Sequence, residues 1–253
     1  MRTLKLTLAY DGTEYAGWQR QINALTIQQV VEEAFAHFTG GERPTVSGAG
    51  RTDSGVHALG QVASVNVEFD HSASAVMRAL NVRLPGAIRV IGAVDAAPGF
   101  HARFNAIGKS YRYRIARTPV QSPFDRLYSW HVPWALDLDA MRQAAASLAG
   151  RHDFASFQAS GTAITATVRN LERLELVETG GELHVIAEGE GFLRHMVRII
   201  TGTLVEIGSG QREAHSMPDV VAARNRDAAG KTAPPHGLTL VAVKYPSSVA
   251  VSS

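Results

Sequence analysis

Cysteine is absent from the 253 residues of the sequence. This absence excludes disulfide bonds, thiolate metal sites and a thiol nucleophile. The sequence also begins without a long apolar run, so neither a signal peptide nor a membrane-spanning helix is expected. A cytoplasmic location is the resulting expectation for a chain with 45% hydrophobic and 19% charged residues, a composition typical of globular proteins.

Motifs of several common enzyme classes are also missing. Gly48-x-Gly50 begins like a dinucleotide-binding fingerprint, but Asp53 stands where the third glycine of that motif is required. The same stretch lacks the Gly-Lys-Ser/Thr sequence of a phosphate-binding loop. No two histidines stand at His-x-x-x-His spacing on a predicted helix, so no metal site is expected.

Acidic residues are missing from one long segment, Ala96 to Phe124, although the whole chain carries a formal charge of only +2. The basic residues of this segment are Arg103, Lys109, Arg112, Arg114 and Arg117, and Tyr111 and Tyr113 alternate with two of the arginines. Basic residues interleaved with aromatic ones suit a phosphate backbone and an unstacked base. The alternative interpretation is a strand with a buried tyrosine face and a solvated arginine face. The pattern alone favours neither.

A polar, glycine-rich stretch from Gly48 to Ala58 contains one carboxylate, Asp53, with Arg51 before it and His57 after it. A loop that presents an acid beside a base on a rigid scaffold is a candidate reaction centre. An aspartate in such a loop is more often a turn former or a helix cap. Spacing alone therefore favours the structural role for Asp53.

Hydrophobic periodicity predicts two halves with the same order of elements. The first half reads as a strand at 4–8, a helix from Thr26, strands at 45–46 and 63–69, a helix at 76–84 and a strand at 88–94. This β-α-β-β-α-β order is the ferredoxin-like pattern. The second half approximates it between strands at 111–115 and 238–245, with a loop predicted at 151–157. The predicted domains are residues 1–105 and 106–246, followed by a flexible tail at 247–253.

A helix predicted from Phe192 to Ile207 has an apolar side and a basic one. Arg194, His195 and Arg198 are three or four residues apart, so they would share a face of this helix. One of the arginines could reach a carboxylate and keep it ionised. The alternative interpretation is an exposed basic face with no functional role.

Five blocks of residues together resemble those of the tRNA pseudouridine synthase A family. The blocks are 9–13 with Gly17-Trp18-Gln19, 50–58, 104–106 with Lys109 and 111–113, 191–193 with 195–198, and 233–238. The block Arg51-Thr52-Asp53-x-Gly-Val-His-Ala is the most specific of them. The matches run from near the beginning of the chain to near its end.

The resemblance implies an α+β fold with two ferredoxin-like halves. In the family these halves join into one extended antiparallel sheet with helices on one face, and the catalytic cleft lies between them. Members form homodimers and use no cofactor. They isomerise uridine to pseudouridine in the anticodon stem-loop of tRNA, at positions 38, 39 and 40.

The resemblance also implies roles for five residues. Asp53 matches the catalytic aspartate, which acts as the nucleophile. Arg51 matches the arginine that helps to hold the flipped nucleotide, and Tyr111 matches the tyrosine that stacks on the target uracil. Arg198 matches the basic residue that forms an ion pair with the catalytic acid, and Leu238 matches the apolar residue packed near that acid.

Two other functions stay open at this point. A non-catalytic RNA-binding or chaperone module would rely on the basic segment from Ala96 to Phe124. A nucleoside N-glycosidase would use Asp53 at C1′ and release free uracil. Such hydrolases usually need a second carboxylate as the acid, and none neighbours Asp53 in the sequence.

Overall fold

The computed structural model describes residues 1–162 and 164–247. The tail predicted at 247–253 lies outside the described residues except for Ser247. In the described part of the chain, no helix has both the length and the apolar character needed to cross a membrane.

Ten strands and five α-helices are found in these described residues. The strands are β1 (Arg2–Tyr10), β2 (Val46–Gly48), β3 (His57–Val67), β4 (Ile88–Asp95), β5 (Gly108–Ala116), β6 (Trp130–His131), β7 (Gly150–Asp153), β8 (Val168–Thr179), β9 (Glu182–Gly189) and β10 (Leu238–Lys244). The α-helices are α1 (Ile27–Ala36), α2 (Ala73–Arg83), α3 (Leu138–Ala146), α4 (Met196–Gly208) and α5 (Met217–Ala223). Short 3₁₀ helices cover residues 155–157, 214–216, 226–228 and 235–237.

The chain divides into two compact units. Of the described residues, the first contains 1–107 and 240–247, and the second contains 108–239. Strand β10 therefore groups by its contacts mainly with the first unit, although the order of elements counts it as the last strand of the second half.

The first unit has the strand order β4-β1-β3-β10, and β2 also pairs with β3. Strand β1 lies antiparallel to both β3 and β4. Leu4, Leu6 and Leu8 of β1 are fully buried, as their alternation with polar residues predicts. Helix α1 begins after Thr26, whose side chain accepts a hydrogen bond from the Gln29 N–H.

The second unit has the strand order β5-β9-β8-β7. The β5–β9, β8–β9 and β7–β8 pairs are antiparallel, and the short strand β6 runs parallel to β5. The predicted hairpin between β8 and β9 turns at Gly180 and Gly181, which both have positive φ. The predicted α+β fold class is confirmed.

Two predictions for the second half are wrong. Residues 151–153 of the predicted loop belong to strand β7, because pairing with β8 supplies their hydrogen bonds. The composition of such a short polar segment does not indicate this pairing. Helix α4 begins at Met196, not at Phe192. His195 precedes it in the left-handed region, with φ of 63°, so residues 192–195 cannot continue the helix.

Candidate active site

The loop that carries Asp53 connects β2 to β3 and packs against the loop that follows β1. The Trp18 N–H donates to the Thr52 carbonyl at 3.1 Å, and the Gly55 N–H donates to the Tyr15 carbonyl at 3.2 Å. The buried hydroxyls of Tyr10 and Thr52 lie 2.9 Å apart. These contacts come from residues on both sides of Asp53, so they fix the backbone at that position.

Two glycines allow this close packing. A Cβ atom on Gly17 would lie 2.4 Å from the Thr52 carbonyl oxygen, and one on Gly12 would lie 2.0 Å from the Val56 oxygen. Both distances are far below any van der Waals contact. Gly17 also has φ of 87°, which a residue with a side chain adopts only with strain. No other residue fits between the two loops at either position.

Asp53 itself is half-buried, and its carbonyl accepts the Val56 N–H at 3.1 Å to close a turn. A carboxylate on a backbone fixed in this way can act as a nucleophile or as a base. Arg51 is exposed, and its Nε donates to the Gln19 side chain at 3.3 Å. Arg51 thus stands beside Asp53 on the same loop with its guanidinium at the surface.

His57, the other residue singled out near Asp53, is buried at the beginning of β3. Its Nδ1 lies 3.1 Å from the Gly12 nitrogen and 3.1 Å from Oδ1 of Asp11. These partners belong to the loop after β1, so His57 helps to join that loop to the beginning of β3.

Tyr111 lies on β5 in the second unit, with its side chain largely buried. The Phe192 ring meets it edge-on, with a centroid separation of 5.0 Å and an interplanar angle of 79°. Tyr113 is fully buried two residues further along the same face. Tyr113 is therefore packed in the interior of the unit, as the structural interpretation of the alternating pattern requires, whereas Tyr111 keeps 8% of its surface exposed.

Two arginines, one on β5 and one directly after it, form ion pairs with acids. Arg114 donates to Glu182 through Nε at 2.9 Å and to Asp125 at 3.0 Å. Arg117 forms an ion pair with Glu178 at 2.9 Å. Carboxylates therefore already bind the guanidinium groups of Arg114 and Arg117, which favours the structural interpretation for these two residues.

Arg198 lies in the first turn of α4 and is half-buried. Its Nε donates to the Ala233 carbonyl at 2.8 Å, and the Ala233 N–H donates to the Arg198 carbonyl at 3.1 Å. Arg194 and His195 precede the helix, so the predicted basic helix face that they would share with Arg198 does not exist. The two hydrogen bonds with Ala233, in the 233–238 segment, fix the position of Arg198 instead.

The same segment also contacts Tyr113 and leads into Leu238. The Tyr113 hydroxyl donates to the Pro234 carbonyl at 2.7 Å, and a Cβ on Gly237 would lie 2.6 Å from the Tyr113 ring. Burial raises the pKa of Tyr113 far above its usual range, and the nearby Arg198 charge lowers it only in part. Tyr113 therefore stays a neutral hydrogen-bond donor. Leu238, the first residue of β10, is buried.

The structure thus distributes the five predicted site residues over its two units. Asp53 and Arg51 share one loop of the first unit, whereas Tyr111, Arg198 and Leu238 belong to the second. Sequence reasoning missed the residues that support these five: Gly12 and Gly17, which pack against the Asp53 loop, and Tyr113, which contacts the segment that binds Arg198. In the sequence, only their membership of the blocks that carry the resemblance indicated that these three residues matter.

Across residues 1–162 and 164–247, no cluster of three or more His, Asp or Glu side chains could hold a metal ion.

Comparison with known proteins identifies the family. A family model described as tRNA pseudouridine synthase matches residues 7–105 and 144–246. The tRNA pseudouridine synthase A of Syntrophotalea carbinolica is 48% identical over 245 residues, which cover 97% of each chain. The protein of the same name from Geobacter sulfurreducens is 48% identical over 245 residues, 97% of this chain and 100% of its own. That from Halalkalibacterium halodurans is 44% identical over 238 residues, 94% of this chain and 90% of its own.

The chain therefore belongs to the tRNA pseudouridine synthase family. It is an isomerase that acts on tRNA.

Proposed function

We propose that the protein converts uridine to pseudouridine at positions 38, 39 and 40 in the anticodon stem-loop of tRNA, with Asp53 as the nucleophile. The observation that carries this proposal is the fixed loop on which Asp53 stands. Its backbone is clamped from both sides by Trp18 and Tyr15, and the glycine at position 17 brings the second loop within contact of it. Such preorganisation is what a reacting carboxylate requires.

The reaction rearranges one nucleoside without any other reactant. The N1–C1′ bond breaks, the base turns, and C5 bonds to C1′; C5 gives up its hydrogen, and N1 gains one. One carboxylate suffices for covalent capture of the substrate, either at C1′ or on the ring. We assign the ion-pair partner of Asp53 to Arg198, whose position is fixed by its two hydrogen bonds with Ala233.

The target base lies inside a stacked stem or loop, so it must be flipped out to reach a carboxylate. We assign the stacking partner of the flipped uracil to Tyr111, a contact worth about 1–3 kcal/mol per base. Arg51 would hold the flipped nucleotide through its surface guanidinium, and Leu238 would pack beside the acid. We expect the protein to act on tRNA in the cytoplasm and to work there as a homodimer.

Substitution of Asp53 tests the proposal. We expect Asp53→Asn and Asp53→Ala to reduce pseudouridine formation to background while tRNA binding stays within about threefold of the wild-type value, because a single carboxylate contributes little to binding a polyanion. Asp70→Asn, which changes an exposed aspartate by the same charge, is the matched control. Substrates with a single uridine at position 38, 39 or 40 show which positions react.

Retention of wild-type rates by Asp53→Asn would exclude the catalytic assignment. It would favour the RNA-binding module without chemistry, for which Arg112 and not Asp53 would be essential. Release of free uracil by the wild-type protein would indicate the N-glycosidase instead. Light scattering tests the dimer, which should have twice the 27.2 kDa mass of one chain.

A further inference from the structure

A cavity of about 560 Å³ opens within the second unit, on the side of α4 where the helix begins. Residues 159–160, 194–195, 226–227 and 229–232 line it. Small side chains such as Ala159 and Ala229 form part of the wall and leave its volume open. None of the five residues assigned above to the reaction lines this cavity.

The charges of the cavity wall are strongly unbalanced. Arg194, Arg226 and Lys231 line it together with His195, against a single acid, Asp227. In the part of the chain that the structure describes, no carboxylate forms an ion pair with any of these three cations. The Glu206 carboxylate, which accepts the Lys231 backbone N–H at 2.8 Å and whose pKa the Lys231 charge lowers, offsets Lys231 in part. The remaining excess of positive charge attracts an anion and repels metal ions.

Two of the cations are already positioned. The Arg226 guanidinium donates to the Thr232 hydroxyl at 3.1 Å and to the Ala229 carbonyl at 3.3 Å, so neutral acceptors fix its orientation and leave its charge uncompensated. The Lys231 ammonium lies 5.2 Å from the centre of the Trp130 ring. Less conformational entropy is lost on binding when the cations are held in place beforehand.

The beginning of α4 adds to the same positive potential. His195 occupies the N-cap position in the left-handed conformation, and its side chain does not cap the helix. The first N–H groups of a helix carry a partial positive charge and favour a phosphate. Arg198, the proposed partner of Asp53, lies three residues further along in the first turn.

We propose that this cavity binds a backbone phosphate of the RNA substrate through Arg194, Arg226 and Lys231. This inference rests on the proposed function, which supplies a tRNA strand as the ligand. An arginine fork matches the geometry of two phosphate oxygens, and a lysine contributes a point charge. Binding here would hold the strand at the beginning of the helix that carries Arg198.

Salt-dependent tRNA binding tests the proposal. We expect Arg194→Gln and Arg226→Gln each to weaken tRNA binding roughly tenfold at low salt, since a charged hydrogen bond is lost in each. The slope of log K against log salt concentration should become shallower by about 0.7–0.9 for each phosphate contact removed. The kcat/KM for pseudouridine formation should fall by the same factor as the affinity. Arg78→Gln, an exposed arginine on α2 of the first unit, changes the net charge equally and should change neither quantity.

An opposite substitution gives the sharper result. Asp227→Asn removes the one acid of the cavity, so we expect tighter tRNA binding and a steeper salt slope. Arg194 makes no side-chain hydrogen bond within the described residues, so its replacement leaves the fold intact even if Arg226→Gln loosens the 226–232 segment. Affinities and slopes for the Arg194 and Asp227 variants equal to those of Arg78→Gln would overturn the inference. Absence of pseudouridine formation by the wild-type protein would overturn the proposed function instead, so the two failures are distinguishable.

Discussion

Gly17 shows how one missing side chain shapes the loop that carries Asp53. Its φ of 87° places it in the left-handed region, and a Cβ there would lie 2.4 Å from the Thr52 oxygen and 3.0 Å from the Asp53 carbonyl carbon. Any side chain must therefore push the Asp53 loop away from the loop that holds it. A displacement of about 1 Å at a reacting group is enough to reduce a rate a hundredfold.

We expect Gly17→Ala to reduce pseudouridine formation at least tenfold and to lower thermal stability. Left-handed backbone costs an alanine about 1–2 kcal/mol, and the contact with Thr52 adds to that cost. Gly40→Ala is the matched control, because Gly40 has φ of 70° but open space around its Cβ position. It should lose similar stability from backbone strain and keep its activity. Equal activity losses in the two variants would show that the contact with the Asp53 loop is unimportant.

The residue roles are also where sequence-based reasoning depended most on resemblance. Spacing alone identified Asp53 as a turn former, and its backbone does close a turn with Val56. The catalytic role proposed for Asp53 depends on the match to a family motif. The clamp by Gly12 and Gly17 joins segments about forty residues apart, and no local pattern in a single sequence reveals such a contact.

At the scale of elements, the pairing of β5 with β9 determines which acid Arg114 of β5 contacts. Arg114 lies opposite His184, which places its guanidinium beside Glu182. Burial would raise the pKa of Glu182, but the hydrogen bonds from Arg114 and His184 outweigh it and hold that pKa below its usual value of 4.5. The network of Arg114, Glu182 and His184 thus links the neighbouring strands β5 and β9.

We expect Glu182→Gln to lower the free energy of unfolding at pH 7 by about 0.5–1 kcal/mol, as for a partly exposed ion pair. The folded pKa lies below the unfolded one, so this contribution is complete above about pH 5 and is lost as the pH falls through the folded pKa. The stability curves of variant and wild type should therefore converge in acid, which chemical denaturation at several pH values measures. Glu175→Gln, which breaks an exposed pair with Arg173, should change stability little at any pH. A constant difference down to pH 2 would mean that the carboxylate charge is not what stabilises the strand pair.

Elements with a strong period were predictable, and elements defined by their partners were not. The alternation in β1 and β5 and the Thr26 cap of α1 fixed these elements correctly from the sequence. Strand β7 has four residues and a polar composition, so only its pairing with β8 makes it a strand. The predicted start of α4 at Phe192 is wrong because the apolar periodicity extends back to Leu193, whereas the backbone conformation of His195 prevents a helix before Met196.

At the scale of the whole molecule, the chain leaves its first unit after Ile107 and returns to it at Leu240. Tyr245 holds the returning segment against the rest of the first unit. Its hydroxyl donates to the Ala102 carbonyl at 2.6 Å, its ring packs on Phe100 at 5.4 Å between centroids, and the Lys5 ammonium lies 4.6 Å from its ring centre. The sequence indicated two halves of similar order, but it gave no sign that the last strand groups with the first.

We expect Tyr245→Ala to lower the free energy of unfolding by about 2–3 kcal/mol, because a partly buried ring that packs on the core and its hydrogen bond are lost. Hydrogen exchange should localise the effect to the first unit, where the Ile107 N–H donates to the Lys244 carbonyl at 2.9 Å. Tyr245→Phe keeps the ring and should lose only about 1 kcal/mol. Faster exchange in β8 and β9 to the same extent as at Ile107 would mean that Tyr245 does not stabilise the first unit specifically.

The discontinuous first unit has a consequence during synthesis on the ribosome. Strand β3 approaches β10 so closely at Gly60 that a Cβ there would lie 2.5 Å from the Val241 oxygen. The nascent first unit must wait until all of the second unit, residues 108–239, has been translated before this neighbour emerges. Until then the backbone N–H and C=O groups of β3 near Gly60 stay open to pairing with other chains. Slow elongation through the second unit should therefore make the newborn protein more dependent on chaperones that shield strand edges.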